Sequence, residues 1–462
     1  MKNRIERDAL GTKEVPSDTY YGIHTQRALE NFPISGMRTA IELYHAICTI
    51  KLAACRVNAH LKLLDKKKAA AIGRAATETV AGKFDSYFVV DVYQAGAGTP
   101  THMNVNEVIA NRAIEILGGR KGNYTIVHPN DHVNLGQSTN DVFPTAMRIA
   151  LLLLVDGLLH ALHLCEKTLQ KKSKEFYPVV KSGRTHLQDA VPIRLGQEVG
   201  AWATTFSKLQ LSLKGAQKRL LSVGIGATAV GTGINTHPQY RSFVVAELRK
   251  LTHYDLQPAT DLFEATQSMA DFVHLSGVLR EAAIEIVRIN HDIILLSSGP
   301  RTGIHELILP AVEPGSSIMP GKVNPNMAEM LSMVCYQVVG NDSAVVNAAQ
   351  AGQLELNVYM PVIAHNCIMS VRILTNALLA WEQRCIRGMT ADKEQCAMNL
   401  DKSLGLATFL NPYIGYDRAA RVAQIAYQQH KTIFQVVLEQ KLLTEAQLKQ
   451  IFDKENLTKP HR

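Results

Sequence analysis

The residue types best suited to chemistry in this chain of 462 residues stand together in residues 315–325, whose sequence is GSSIMPGKVNP. Glycines give this stretch backbone freedom, and its end predicts a helix that has Pro325 in the first turn and Asn324 as the cap. Free N–H groups at a helix N-terminus attract anions, and Lys322 adds a positive charge beside them. A serine hydroxyl next to such an anion site predicts proton chemistry on a substrate that carries a carboxylate.

Three further loops contain small hydroxyl, amide and imidazole groups that can bind a small polyanion. Each loop on its own is typical of a helix cap or a polar turn, and Asp141 and Asp189 are expected to hold their loops through such contacts. All the loops, however, lie at the ends of long apolar segments, and a helical bundle brings distant loops together at one end. We therefore expect one shared site built from residues 98–104, 137–141, 183–189 and 316–324.

Long segments with helical periodicity must position these loops. Helices of such length are typical of a bundle, and after residue 396 the helices are short, one of them capped by Thr444. The periodicity predicts helices over 144–175, 195–223, 261–296 and 325–338, and one over 356–383 that is interrupted near the turn at residue 352. The sequence thus predicts a mainly α protomer with an N-terminal domain (1–141), a central helical-bundle domain (142–395) and a small C-terminal helical domain (396–462).

Charge and composition argue against a nucleic-acid or nucleotide partner. The net charge of +8 comes from 49 Lys and Arg against 41 Asp and Glu spread along the chain, and aromatic residues make up 6%. A nucleic-acid surface needs concentrated positive charge, often with stacking aromatics. The glycine-rich stretches 96–99 and 224–233 match neither the GxGxxG of a βαβ unit nor a P-loop.

The cysteines and the apolar runs indicate a reducing, aqueous environment. The seven cysteines are scattered and form no CxxC pair, which favours buried thiols over disulfides or a zinc site. The first residues lack the apolar core of a signal peptide. The most apolar run, 149–155, is too short to cross a bilayer and predicts a buried helix. We expect a cytoplasmic protein with neither a membrane contact nor a bound metal.

Residues 315–325 resemble the GSSxMPxKxNP signature of the aspartase/fumarase superfamily, and the resemblance extends over essentially the whole chain. Residues 137–141, 183–192 and 226–235 resemble its other blocks in the expected order and spacing. The resemblance implies a mainly α-helical protomer of three domains and a homotetramer whose active sites combine loops from three subunits. It also implies anti β-elimination that yields fumarate, with no cofactor as electron sink. Related enzymes differ in whether Mg²⁺ activates them, so the resemblance leaves Mg²⁺ activation open.

The same resemblance assigns roles to individual residues. It makes Ser316 the base that removes the Cβ proton, and it places His186 among the catalytic residues near the leaving group. A dicarboxylate substrate such as L-aspartate or fumarate would be bound through both of its ends. The implied substrate-binding residues are Lys322 and Asn324 at one carboxylate, Thr99, Ser138, Thr139 and the backbone of Ser317 at the other, and Asn140 and Thr185 at the amino group.

Individual residues point to two branches of the superfamily. Thr139, the opening Tyr20-Tyr21 and the block at residues 351–354 resemble aspartate ammonia-lyases, which favours ammonia elimination from L-aspartate. Residues 128–131 and 236–238, together with His186, resemble fumarate hydratases, which interconvert fumarate and L-malate. A catalytically silent, crystallin-like assembly on the same fold is a third alternative. Pro100 and His102 depart from both branches, in which an asparagine commonly occupies the position of His102.

Overall fold

The computed structural model describes residues 2–460 and is mainly α-helical, as the sequence predicted. Its helices are α1 Ile23–Asn31, α2 Ile41–His60, α3 Lys66–Val80, α4 Thr99–Ile116, α5 Thr139–Phe176, α6 Leu195–Arg219, α7 Tyr240–Thr252, α8 Leu262–Gln267, α9 Ala270–Leu296, α10 Asn326–Gln350, α11 Met360–Trp381, α12 Lys393–Lys402, α13 Asn411–Ile414, α14 Tyr416–Gln429, α15 Ile433–Glu439, α16 Glu445–Ile451 and α17 Lys454–Thr458.

Short two-stranded pairs accompany the helices in the described part of the chain. Three pairs are antiparallel, and the fourth, β5 with β6, is parallel. The strands are β1 Asn3–Asp8 with β2 Gly11–Pro16, β3 Val180–Thr185 with β4 Gln188–Arg194, β5 Ser222–Val223 with β6 Gln257–Pro258, and β7 Leu307–Ile308 with β8 Thr390–Ala391.

The predicted long helices exist, but several of their boundaries were wrong: α5 begins at Thr139 instead of residue 144, and α6 ends at Arg219 instead of residue 223. The segment predicted over 261–296 is two helices, because Ser268 is extended with ψ of 130° and separates α8 from α9. Helix α10 continues twelve residues beyond the predicted end at 338 and stops at Gln350. Helix α11 begins only at Met360, after the turn that contains residue 352. The predicted cap at Thr444 is confirmed, since its hydroxyl accepts from the backbone N–H of Gln447.

The described residues form two compact units. Within residues 2–460, the first unit comprises 2–159, 212–282 and 336–373, and the second comprises 160–211, 283–335 and 374–460. Within the first unit, α2 packs against α3, α4 and α7, and Asn341 of α10 donates to Ser370 of α11. The division into three domains stays a prediction.

The second unit contains its own contacts between long helices. Asn290 of α9 donates to Ser332 of α10 at 2.8 Å, and the rings of Phe206 in α6 and Trp381 in α11 are stacked. Residues after 400 contribute a separate apolar cluster that includes Leu410, Val436 and Leu448. That cluster explains how the short C-terminal helices, which are too short to be stable alone, hold together.

All seven cysteines are buried and free, which confirms the prediction of buried thiols. Within residues 2–460, two stretches are long and apolar enough to cross a membrane by length and composition, α5 and Met360–Ile386. The apolar windows of these stretches are 72% and 56% buried inside the protein. Such burial is typical of core helices, and it agrees with the buried helix predicted around residues 149–155.

The stacked pair in the second unit predicts a large stability effect. Trp381 is 0% exposed, and its ring lies 6.0 Å from that of Phe206 between centroids. Replacing Trp381 with Ala should lower the free energy of unfolding by about 3–5 kcal/mol, because the cavity cannot fully collapse. Urea denaturation measures this change. The matched control is Tyr427→Ala, whose ring is 72% exposed; equal losses for both variants would contradict the packing described.

Candidate active site

Backbone N–H groups surround the hydroxyl of Ser316. Its Oγ accepts from the N–H of Ile318 at 3.2 Å and from the N–H of Met319 at 3.0 Å. The loop is closed by a backbone bond from Gly315 N–H to the carbonyl of Lys322 at 2.8 Å. Two N–H groups directed at one oxygen stabilise negative charge on that oxygen.

Asn324 has a different local role from the one predicted. Its side-chain amide donates to the carbonyl of Gly315 at 2.7 Å, so it ties the two ends of the loop together. The first helical backbone bond of α10 is accepted by Pro325, which therefore precedes the helix. The prediction that Asn324 caps this helix was wrong, because Pro325 stands between Asn324 and the first helical residue, Asn326.

The Ser316 loop is open to solvent in the single chain. Ile318, Met319 and Val323 are exposed by 84%, 49% and 51%, and Lys322 and Ser317 are exposed as well. The loop borders a cavity of about 450 Å³. A small dicarboxylate has room in such a space. Exposed apolar side chains of this kind are typical of a surface that another protein surface covers.

Thr99 and Thr139 meet where two helices begin. Thr99 is the first residue of α4 and Thr139 the first of α5, and their hydroxyl oxygens lie 3.1 Å apart. Gly98 permits the sharp entry into α4, since its φ is +92° and a side chain there would collide with Phe143. Two helix N-termini directed at one place favour an anion.

Asp141 organises the loop that carries Ser138, Thr139 and Asn140. Its carboxylate accepts from the backbone N–H groups of Ser138, Gly226 and Thr228, each at 3.0 Å. Burial raises the pKa of Asp141 to about 6, although these hydrogen bonds oppose the rise. Asp141 thus holds its loop, as predicted, and Asp189 does the same by accepting from Leu404 N–H at 3.0 Å.

Asn140 and Ser138 make further contacts in the first unit. The amide of Asn140 donates to the carbonyl of Ala229 at 2.7 Å, and the hydroxyl of Ser138 accepts from Asn140 N–H at 3.3 Å. The glycine-rich stretch 226–235 is therefore a structural partner of the Ser138 loop. This contact gives the stretch a role that needs no nucleotide.

Thr185 and His186 lie at the tip of the β3–β4 hairpin. Thr185 pairs with Gln188, so His186 and Leu187 form a two-residue turn, with φ of 54° and 59°. This left-handed region normally favours glycine or asparagine, and two ordinary side chains there store backbone strain. Strain of this kind is found at functional sites, where the surrounding structure must hold it.

A buried ion-pair network supports that hairpin. Arg184 donates to both carboxylate oxygens of Glu306, at 2.8 and 2.9 Å, and Lys181 lies 3.0 Å from the same carboxylate. Asn399 donates to Glu306 at 3.0 Å. Sequence reasoning missed Glu306, because a single glutamate gives no signal of its partners.

Lys51 is a buried polar residue that sequence reasoning did not place in the site, and it lies beside His102 of the predicted loop 98–104. Lys51 is 0% exposed and His102 is 1% exposed. The Nζ of Lys51 lies 2.5 Å from His102 Nε2, and His102 Nδ1 lies 2.8 Å from Thr139 Oγ1. The sequence signal that could have identified Lys51 is its position as a lone lysine between apolar residues of α2, Ile50 and Leu52.

The predicted site residues fall into both units. The structure brings Thr99, Ser138, Thr139 and Asn140 together in the first unit. The hairpin residues Thr185 and His186 and the loop residues Ser316, Ser317, Lys322 and Asn324 belong to the second unit. No group of three or more His, Cys, Asp or Glu side chains able to hold a metal occurs within residues 2–460.

Comparisons with known proteins define the class to which this fold and these loops belong. Residues 11–340 match the family model described as lyase, and residues 406–459 match the one described as fumarase C C-terminus. The chain belongs to the aspartase/fumarase superfamily of lyases.

Similar proteins cover the whole chain. It is 47% identical over 461 residues to an aspartate ammonia-lyase of Pseudomonas aeruginosa, and the aligned region covers 99% of this chain and 97% of that protein. It is 44% identical over 457 residues to an aspartate ammonia-lyase of a Bacillus species, with 99% and 98% covered. A crystal structure of fumarate lyase:delta crystallin from Brucella melitensis bound to cobalt has a TM-score of 0.96 at 44% identity, covering 99% and 100%.

The Glu306 network predicts a stability change that depends on pH. Burial raises the pKa of Glu306, but the hydrogen bond from Arg184 and the charge of Lys181 outweigh it, so the pKa lies below its ordinary value. The carboxylate therefore stabilises the fold above the unfolded pKa of about 4.3, and this contribution is lost as the pH falls through the folded pKa. Glu306→Gln should lower the free energy of unfolding by about 3 kcal/mol at pH 7.

Urea denaturation from pH 7 down to pH 3 (a range of about four units) measures this dependence. The difference between wild type and Glu306→Gln should shrink below about pH 4. The control is Glu455→Gln, which removes the 57% exposed partner of Arg194 and should change little. A difference for Glu306→Gln that is the same at every pH would contradict the ion-pair interpretation.

Proposed function

We propose that this chain catalyses the reversible anti elimination of ammonia from L-aspartate, which gives fumarate. The observation that carries the proposal is the Ser316 hydroxyl, which accepts two backbone N–H groups in a loop with the superfamily signature. The full-length similarity to aspartate ammonia-lyases supports L-aspartate as the substrate.

Ser316 acts as the base in this reaction. Its alkoxide takes the proton from Cβ of aspartate, and the electrons of the C–H bond form a dianionic enediolate at the neighbouring carboxylate. A serine is a strong enough base only where its anion is stabilised, which is the role of the N–H groups of Ile318 and Met319 and of the nearby Lys322 charge. Each such donor is worth about 3 kcal/mol in a preorganised site.

The two substrate carboxylates bind to different loops. Thr99, Ser138 and Thr139 hold the carboxylate that becomes the enediolate, because two helix N-termini begin there. The backbone N–H of Ser317 adds a further donor. Lys322 and Asn324 bind the other carboxylate, the lysine through its charge and the asparagine through the amide N–H that is not bonded to Gly315.

The amino group leaves from the opposite face. Asn140, Thr185 and His186 surround it, and the electron pair of the C–N bond departs with the nitrogen as the enediolate collapses to fumarate. The left-handed turn at residues 186–187 places His186 at the exposed tip of the hairpin. The substrate's protonated amino group leaves as neutral ammonia and needs little acid assistance, so His186 has a supporting role for aspartate and would matter more for malate.

A homotetramer with active sites shared by three subunits fits this arrangement. Long helices expose apolar side chains in the single chain, which a subunit interface would cover. The most exposed of them are Leu153 at 54%, Leu211 at 68%, Ile284 at 54%, Met333 at 66% and Tyr336 at 54%. We further propose a cytoplasmic location and catalysis without a required cofactor; activity with Mg²⁺ and with EDTA tests metal activation.

Replacing Ser316 with Ala should abolish turnover, because no other group is placed to take the Cβ proton. We expect kcat to fall by at least about a thousandfold while the oligomer stays intact. Fumarate absorbance measures turnover from L-aspartate, and analytical ultracentrifugation measures assembly. Retained turnover would refute the assignment of Ser316 as the base.

The same assay on the wild-type protein separates the alternatives. Fumarate formation from L-aspartate supports the proposal. Brisk malate dehydration without aspartate turnover would identify a fumarate hydratase, in keeping with the fumarase-type match of residues 406–459. Inactivity on both substrates would identify a silent assembly.

Shared active sites predict complementation between two inactive variants. One variant is Ser316→Ala and the other is Thr139→Val, each of which damages a different loop. If the loops of one site come from different subunits, co-expressed chains should recover about a quarter of the wild-type activity, since random mixing leaves that share of sites intact. Activity no higher than the sum of the separate variants would contradict shared sites.

A further inference from the structure

Lys51 is a buried lysine whose surroundings fix the direction of its hydrogen bonds. Besides His102, its Nζ contacts Asn134 Oδ1 at 2.8 Å and Gln137 Oε1 at 2.9 Å. The side-chain nitrogen of Asn134 already donates to the backbone carbonyl of Gln137, and the side-chain nitrogen of Gln137 donates to the backbone carbonyl of Val133. Both amide oxygens must therefore face Lys51 as acceptors. With His102 Nε2 as the third acceptor, the three N–H bonds of an ammonium are all satisfied.

We propose that Lys51 and His102 form a positioning pair in which the Lys51 ammonium fixes His102 as the Nδ1–H tautomer and thereby makes Thr139 a donor to the substrate carboxylate. This inference rests on the proposed function, because Thr139 is assigned there to carboxylate binding. An ammonium can only donate, so His102 Nε2 must accept from Lys51 and Nδ1 must carry the proton.

The tautomer decides what Thr139 can do for an anion. A threonine hydroxyl has one proton and two lone pairs. When His102 Nδ1–H donates to Thr139, one lone pair is used and the hydroxyl proton is free to point at a carboxylate. The Thr99 hydroxyl is placed to donate to Thr139 at 3.1 Å, as well as to the carbonyl of Gly96 at 2.7 Å. When Thr99 donates to Thr139, both lone pairs of Thr139 are used and its proton stays free for the carboxylate. In the opposite tautomer, Thr139 would donate to His102 and present only lone pairs to the carboxylate, which repels it.

The surroundings of the pair favour a neutral His102. Burial lowers the pKa of His102 well below its usual value, and the Lys51 charge lowers it further, so the imidazole is neutral. Burial lowers the pKa of Lys51 well below its ordinary value, and the charge of the Asp141 carboxylate opposes this shift only in part. The positive charge in the proposed pair is supported by the geometry, in which three acceptors surround Nζ.

The first test reads the tautomer directly and needs no substrate. The probe is ¹⁵N NMR of protein labelled at histidine, with the His102 signals assigned by their loss in His102→Asn. We expect a protonated Nδ1 and an unprotonated Nε2 at neutral pH, and loss of this preference in Lys51→Met. A protonated Nε2 in the wild-type protein would overturn the proposal, whether or not the enzyme acts on aspartate.

The second test compares two replacements of His102. Asparagine can accept from Lys51 through its oxygen and donate to Thr139 through its amide, whereas leucine can do neither. His102→Leu should lower kcat/KM for L-aspartate and the affinity for succinate by about 10- to 100-fold, the effect of one hydrogen bond to a charged group. His102→Asn should stay within about threefold of wild type.

His132 offers a matched control in the same unit. Its Nε2 lies 2.9 Å from the Nζ of Lys68, so it is also a lysine–histidine pair, but it does not contact Thr139. His132→Leu should leave kcat/KM and succinate affinity unchanged. Equal losses in His102→Leu and His132→Leu, or wild-type values in His102→Leu, would overturn the positioning role. If the wild-type protein binds succinate but does not convert L-aspartate, the proposed reaction is contradicted, whereas the positioning role of His102 is still tested by succinate affinity.

Discussion

The stabilisation of negative charge on the Ser316 oxygen is the interaction on which the proposed chemistry depends. A serine hydroxyl is a poor base in water, and removing a proton next to a carboxylate adds a second unfavourable charge. Backbone N–H groups can stabilise both anions without introducing a group that titrates. The Ser316 loop supplies two of them to one oxygen, and the beginnings of α4 and α5 supply others where the enediolate would form.

Donors placed in advance must be held by something else, and the chain uses buried charged residues for this purpose. Asp141 holds the Ser138 loop through three backbone N–H groups, and Glu306 holds the strand before His186 through Arg184. These residues are expensive to bury alone, so each is surrounded by partners. The proposed Lys51–His102 pair is a third case, in which a buried charge would set the direction of a hydroxyl proton.

The helical architecture was largely predictable because long apolar periodicity has few other solutions. The exceptions have local causes: one extended residue, Ser268, separates α8 from α9, and the polar residues of α10 conceal its extension to Gln350 because Asn341 and Asp342 are buried but paired. Asn324 was assigned to a helix cap, since a local rule cannot anticipate that its amide N–H binds the carbonyl of Gly315 at the opposite end of the same loop.

The sequence by itself determined the mainly α fold and the superfamily, and it predicted the four polar loops and the roles that the signature implies, because periodicity and contiguous motifs are local properties of a chain. Only the tertiary structure decided which buried groups support those loops. Lys51 lies 51 residues before His102, and Arg184 lies 122 residues before Glu306. Contacts over such separations depend on how helices pack in three dimensions, and neither partner has a sequence pattern that names the other.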